Sequence, residues 1–231
     1  MVQRVFRSLA LILCIVIAVT VLSVGIYRFV PIPMTPLMLI RLVEQLIDGH
    51  TLKMQKRWAS LDEISPHLIA AVIASEDQNF MHHYGIDFDA IEKALKRNKR
   101  SKKLYGASTI TQQVAKNVFL WPQRSWARKV FELYFSVLIE LMWSKRRILE
   151  VYVNVIEWGD GIYGAYKASL LYFHHPPDQL SKEEAALLAA VLPNPRRWRP
   201  DHPTGYILKR KAWILKYLNH MRIPLGRLEE G

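Results

Sequence analysis

Two blocks of the chain hold residues whose types and spacing suit proton transfer beside an oxygen-rich substrate. Glu76 and Asp77 are adjacent carboxylates at the polar end of the apolar stretch from Leu68 to Ala74. The run from Gly106 to Asn117 then brings together Ser108, Thr109, Thr111, Gln112, Gln113, Lys116 and Asn117. Hydroxyls, carboxamides and an ammonium are the donors that sugar hydroxyl, amide and phosphate oxygens require. A carboxylate ahead of such a run can take the proton of an alcohol nucleophile. The chemistry implied is that of a carbohydrate- or phosphate-handling enzyme.

Helices must position these groups. Ser65 followed by Pro66 is a helix start, a hydroxyl cap and then a ring in the first turn. That helix delivers Glu76 at its carboxyl end, where the helix dipole and an apolar approach both favour a raised pKa, as a general base requires. The alternative is an ordinary solvated Glu-Asp pair. A second helix spans about Ser125 to Ser144, with Arg128, Glu132, Ser136 and Glu140 recurring along one face. Its other faces are apolar almost all round, so the polar stripe must find partners inside the protein. Glu132 is then either the structural partner of Arg128 or a second carboxylate facing Glu76 across a cleft.

The remaining segments read as helices at Leu37–Ile47, Asp89–Arg97, Lys145–Asn154, Ala165–Phe173, Ser181–Leu192 and Ile207–Met221. Ser181 with Glu184 is a capping box. The glycine-rich turn from Glu157 to Gly164 lacks the flanking strand and the Lys-Ser/Thr ending of a nucleotide loop. No strand-period run exceeds a few residues, and the fold class is mainly α.

Lys and Arg outnumber Asp and Glu by 32 to 20, a net charge of +12. Such an excess calls for an anionic partner: nucleic acid, an acidic membrane surface or a phosphorylated substrate. Lys93, Lys96, Arg97, Lys99, Arg100, Lys102 and Lys103 form one basic cluster. It reads as a solvated charge run or as a site for headgroups or a lipid-linked phosphate. Without interleaved aromatics it disfavours nucleic acid. The lone Cys14 excludes an intrachain disulfide, and the eight histidines show no His-Glu-x-x-His spacing. Arg4 and Arg7 precede an apolar run from Leu9 to Val30 broken only by Arg28. At roughly 20 residues it is long enough to span a bilayer, and longer than the core of a cleaved signal peptide, the alternative reading. The expected organisation is a cytoplasmic tail at 1–8, a membrane anchor at 9–30, a stalk and linker at 31–60, and an external domain at 61–231. Basic residues ahead of the span place the amino end inside.

Taken together, these blocks resemble the family 51 glycosyltransferases, the bacterial peptidoglycan polymerases. The matching residues are Glu76-Asp77 with Phe80, His83 and Gly85; Gly106 with Ser108 to Gln113, Lys116 and Asn117; and Arg128-Lys129 with Glu132. Lys145 with Ile148 to Glu150, Tyr152, Asn154, Gly159 and Gly164 follows, then Glu183 to Ala186 with Leu192, Pro193 and Pro195. The match covers about Leu61 to Pro203, and no transpeptidase domain is expected after it.

The resemblance implies a lysozyme-like helical fold with a membrane-proximal subdomain, and a single-pass protein of the bacterial inner membrane with its domain in the periplasm. It implies lipid II and the growing lipid-linked glycan as substrates, with other cell-wall synthesis proteins as partners. Glu76 would be the base and Glu132 would assist the leaving diphosphate, directly or through a divalent cation, Mg2+ or Mn2+. No organic cofactor is implied, and metal ligands stay open. Asp77, Ser108, Thr109, Gln112, Gln113, Lys116, Asn117, Arg124, Arg128 and Lys129 would bind sugar and diphosphate. Phe131 stands where some relatives carry lysine, so one diphosphate contact is expected to be missing. Two other classes compete. A lysozyme or lytic transglycosylase would need no diphosphate site, and the Gln112, Gln113 and Lys116 block beside Arg128 and Lys129 argues against it. An anchored wall scaffold would leave Glu76 and Glu132 without a role.

Overall fold

The computed structural model describes residues 2–49, 51–100, 106–123 and 125–220. Among the described residues ten α-helices run α1 Val2–Tyr27, α2 Pro36–Ile47, α3 Pro66–Glu76, α4 Phe88–Asn98, α5 Ile110–Phe119, α6 Trp126–Met142, α7 Lys145–Val155, α8 Ala165–Phe173, α9 Lys182–Val191 and α10 Gly205–His220. Three short strands, β1 Gln55–Lys56, β2 Glu157–Gly159 and β3 Ile162–Tyr163, form a sheet in the order β1-β3-β2. The mainly helical reading therefore holds.

Helix starts fall where hydroxyl caps were expected. Ser65 accepts from His67 N at 3.3 Å, and its hydroxyl donates to Leu180 O at 2.9 Å, so one cap also ties α3 to the loop before α9. Ser125 caps α6 and Ser181 with Glu184 completes the capping box of α9, while Ser144, read from sequence as the end of the α6 segment, is instead the cap of α7. α3 is apolar on every face because it is surrounded: Leu68, Ile69, Ala71, Val72, Ile73 and Ala74 are all buried. It packs on α9, and α10 packs on both. α5 packs against α6 and α7, filling the other half of the core with Ile110, Val114, Ile148 and Tyr152. Glu76 is the last residue of α3, at the point where this core helix reaches the surface.

The glycine-rich segment expected to be a turn is a hairpin, β2 and β3 joined through Asp160 and Gly161, with β1 added in parallel. Strands this short carry too few residues to show a period of two. Gly161 has φ +72°, and a Cβ there would lie 2.4 Å from Lys53 O. Both the left-handed backbone and the backbone contact demand glycine. Gly161→Ala should cost about 2–3 kcal/mol and lower the melting temperature by about 4–12 °C. A differential scanning fluorimetry trace matching that of the parent would contradict this.

α1 is long and apolar enough to cross a membrane, and most of it is exposed. It starts at Val2, so residues given above to a tail are helical, and it stops at Tyr27, before Arg28. Its last turns join the domain. Val24 is fully buried, Trp143 Nε1 donates to Val24 O at 2.8 Å, and Arg147 donates to Tyr27 O at 2.8 Å. Thr20 Oγ1 and Tyr134 OH are 2.7 Å apart.

Candidate active site

Glu76 is half-buried, and each of its oxygens meets one protein donor. Ser75 Oγ lies 3.1 Å from Oε1, and Gln113 Nε2 donates to Oε2 at 3.1 Å. The carboxamide of Gln113 is itself held, because Tyr152 OH donates to Gln113 Oε1 at 3.3 Å. Burial pushes the Tyr152 phenol well above its ordinary range, and the charges of Glu76 and Asp77 add to this. It therefore remains a donor, Gln113 Oε1 must accept, and Nε2 is turned toward the carboxylate. Tyr152→Phe should release that amide and lower catalytic turnover about tenfold, at a stability cost of about 1 kcal/mol. Unchanged turnover would mean that Gln113 needs no such support.

Asp77 points the other way. Its carboxylate accepts from Ile110 N at 2.9 Å and meets His83 Nε2 at 2.9 Å and 3.0 Å. Thr109 caps α5, donates to Gly85 O at 2.6 Å and forms a capping box with Gln112. These contacts fasten the loop after α3 to the amino end of α5. Asp77, Thr109, Gln112 and Asn117 are all buried. The structure thus makes the first three a clasp at the site, and Asp77 and Thr109 also reach the wall of a cleft beside Glu76. Asp87 belongs to the same clasp. Burial pushes its carboxyl up, but hydrogen bonds from Ala90 N and Asn79 outweigh this and hold it below the ordinary range.

The stripe on α6 finds its partners as expected. Glu132 is buried, accepting from Arg128 Nη1 at 3.0 Å and from Lys129 Nζ at 2.5 Å. Arg128 Nε also donates to Gln123 O at 2.9 Å. Ser136 Oγ donates to Glu132 O at 2.6 Å. Glu140 accepts from Thr111 Oγ1 at 2.6 Å and from Lys145 Nζ at 2.8 Å. Thr111 and Gln113, two residues apart on α5, point about 200° apart, so α5 braces α6 with one side chain and Glu76 with the other. Lys145 also donates to His83 O at 2.7 Å and sits over the Phe80 ring, supporting the loop after α3 from below.

A cleft of about 400 Å³ opens beside Glu76, between the end of α3, α4 and residues 106–109. Glu76 and Asn79 form one wall, Lys93 and Arg97 of α4 another, and Ser108, which is exposed, a third. Part of the basic cluster therefore faces this cleft. Lys96 pairs instead with Glu92 in solvent, while Lys102 and Lys103 lie outside the described residues. Lys116 and Lys129 are half-buried on α5 and α6, and Arg124 lies outside the described residues. The sequence pointed to Glu76, to Gln113 and to Glu140 in the α6 stripe, but to no role for Ser75, Tyr152 or Lys145. Tyr152 and Lys145 stood in matching motifs, which was the one signal available.

A helical domain with a braced carboxylate at a cation-lined cleft, joined to an apolar helix, defines a membrane-associated enzyme of anionic, oxygen-rich substrates. The Transglycosylase family model matches residues 44–219, and the chain belongs to that family. Its helical architecture is consistent with the lysozyme-like fold expected there. The biosynthetic peptidoglycan transglycosylase of Bacteroides thetaiotaomicron is 51% identical over 218 residues, which are 94% of this chain and 88% of the relative. That of Rhodospirillum centenum is 53% identical over 214 residues, 93% and 90% of the two chains. That of Pseudomonas syringae pv. syringae is 46% identical over 221 residues, 96% and 94%.

Proposed function

We infer that this protein polymerises lipid II into glycan strands during cell wall synthesis. The observation that carries the mechanism is Glu76, a carboxylate with one donor on each oxygen, set in the wall of a cleft whose opposite wall is cationic. Glu76 takes the proton from the 4-hydroxyl of the acceptor GlcNAc. That oxygen forms a bond to the anomeric carbon of the donor MurNAc, whose bond to the diphosphate breaks with inversion. The diphosphate leaves with the electron pair, and Arg128, Lys129 and Lys116 lie on the elements that would meet its charge. Shielded cations matched to a developing anion are the largest available source of rate.

The residues around Glu132 do not fit a divalent cation. Both carboxylate oxygens already accept from a guanidinium and an ammonium, and a metal ion there would face two positive charges at contact distance of the same carboxylate. The group Asp77, His83 and Asp87 offers ligand atoms within 4.8 Å of one another, yet Asp77 and Asp87 are engaged with Ile110 N and Ala90 N. A cation at the diphosphate would therefore be carried by substrate oxygens, and no step is drawn through it. Arg4 and Arg7 in the first two turns of α1 favour an inside amino end, with the domain in the periplasm.

The test is gel analysis of products from purified lipid II and detergent-solubilised protein. Long, penicillin-insensitive glycan chains are expected. Cleavage of preformed glycan without polymer would favour a hydrolase, and no change to either substrate would favour a scaffold.

A further inference from the structure

Arg210 stands among several cations of the basic final helix, and nothing in the sequence distinguishes it. In the fold it is half-buried, and its guanidinium bridges two elements. Nε donates to Ala190 O at 3.2 Å, near the end of α9 where carbonyls lack helical partners. Nη2 donates to Ser75 Oγ at 2.9 Å. The same Ser75 oxygen lies 3.1 Å from Glu76 Oε1 and 3.2 Å from Ala189 O.

A guanidinium can only donate, so Ser75 must accept from it, and its single proton is left for Glu76 or for Ala189 O. Accepting from a cation also polarises the hydroxyl and strengthens the bond it donates. An arginine needed only to finish α9 would require the Ala190 contact alone. We propose that Arg210 is a positioning residue for Glu76, acting through Ser75. This rests on the reading of Glu76 as the base. Glu76 is then held from two directions, by Tyr152 through Gln113 and by Arg210 through Ser75. The second link makes the seating of α10 on α3 and α9 a condition of full activity, although no residue of α10 lines the cleft beside Glu76.

The experiment measures lipid II turnover and KM for the full chain in detergent, with R210Q, S75A, the double variant, R210K and E76Q compared under one condition. R210Q and S75A are each expected to lower turnover about tenfold with KM within about twofold. The double variant should fall no further than the worse single one, because both remove the same link. R210K, which keeps a donor for Ser75, should recover part of the loss. Multiplicative losses in the double variant, a rise in KM alone, or full turnover in R210Q would each overturn the proposal. If R210Q does not fold, R210M, which keeps the alkyl stem and removes every donor, takes its place beside S75A in the same cycle. Parental turnover in E76Q would instead refute the base itself. An inactive E76Q beside a fully active R210Q would refute only the link.

Discussion

Glu76→Gln should lower lipid II turnover by a factor of about 10² to 10⁴, the range a general base supplies, while leaving the fold intact. The substitution keeps the size and shape of the side chain. Its carbonyl oxygen can still accept from Gln113 or Ser75. What disappears is the basic lone pair that would receive the acceptor's proton. Stability should change by no more than about 1 kcal/mol, since Glu76 has no ion pair among the described residues and is already half in solvent. Initial rates of lipid II consumption and a melting curve from the same preparation decide the matter together. A folded variant retaining a tenth of parental turnover would remove Glu76 from the role of base.

The contrast between Glu76 and its neighbour shows what a sequence can and cannot reveal here. Helix starts were readable because Ser65, Ser125 and Ser181 act on backbone within three residues of themselves. The polar stripe of α6 was readable because four-residue spacing fixes a face whatever lies opposite. Inward and outward polar groups were not distinguishable by type. Asp77, Thr109 and Gln112 carry the same atoms as substrate-binding residues, and they also fasten α5 to the loop after α3. Thr109 with Gln112 does carry the local signature of a capping box. The bracing of Glu76 was beyond local reasoning altogether. Tyr152 and Gln113 are 39 residues apart, and Arg210 and Ser75 are 135 apart. Only the packing of α3, α9 and α10 on one side, and of α5 and α7 on the other, brings these groups to one carboxylate.

Glu132 poses the opposite problem, because its surroundings suit a structural role as well as a chemical one. Its carboxylate lies between Arg128 and Lys129, and Arg128 is almost as buried as Glu132 itself. Glu132→Gln removes the negative charge and turns an amide nitrogen toward one of the two cations. Lys129, half-exposed, can swing into solvent, so most of the penalty falls on Arg128, which loses its counter-charge and is left with neutral acceptors such as Gln123 O and the new amide oxygen. Stranding a buried charge costs about 3–5 kcal/mol, and Lys129's freedom puts the expectation near the lower end. The melting temperature should drop by about 6–12 °C. Turnover measured well below that temperature should still fall, by about 10², because Arg128 and Lys129 would no longer be held where a departing diphosphate needs them. Each readout has its own meaning. An unchanged melting temperature would show that the clamp adds nothing to stability. A destabilised variant with parental turnover would make Glu132 a counter-ion for the fold, with the cations finding the diphosphate unaided.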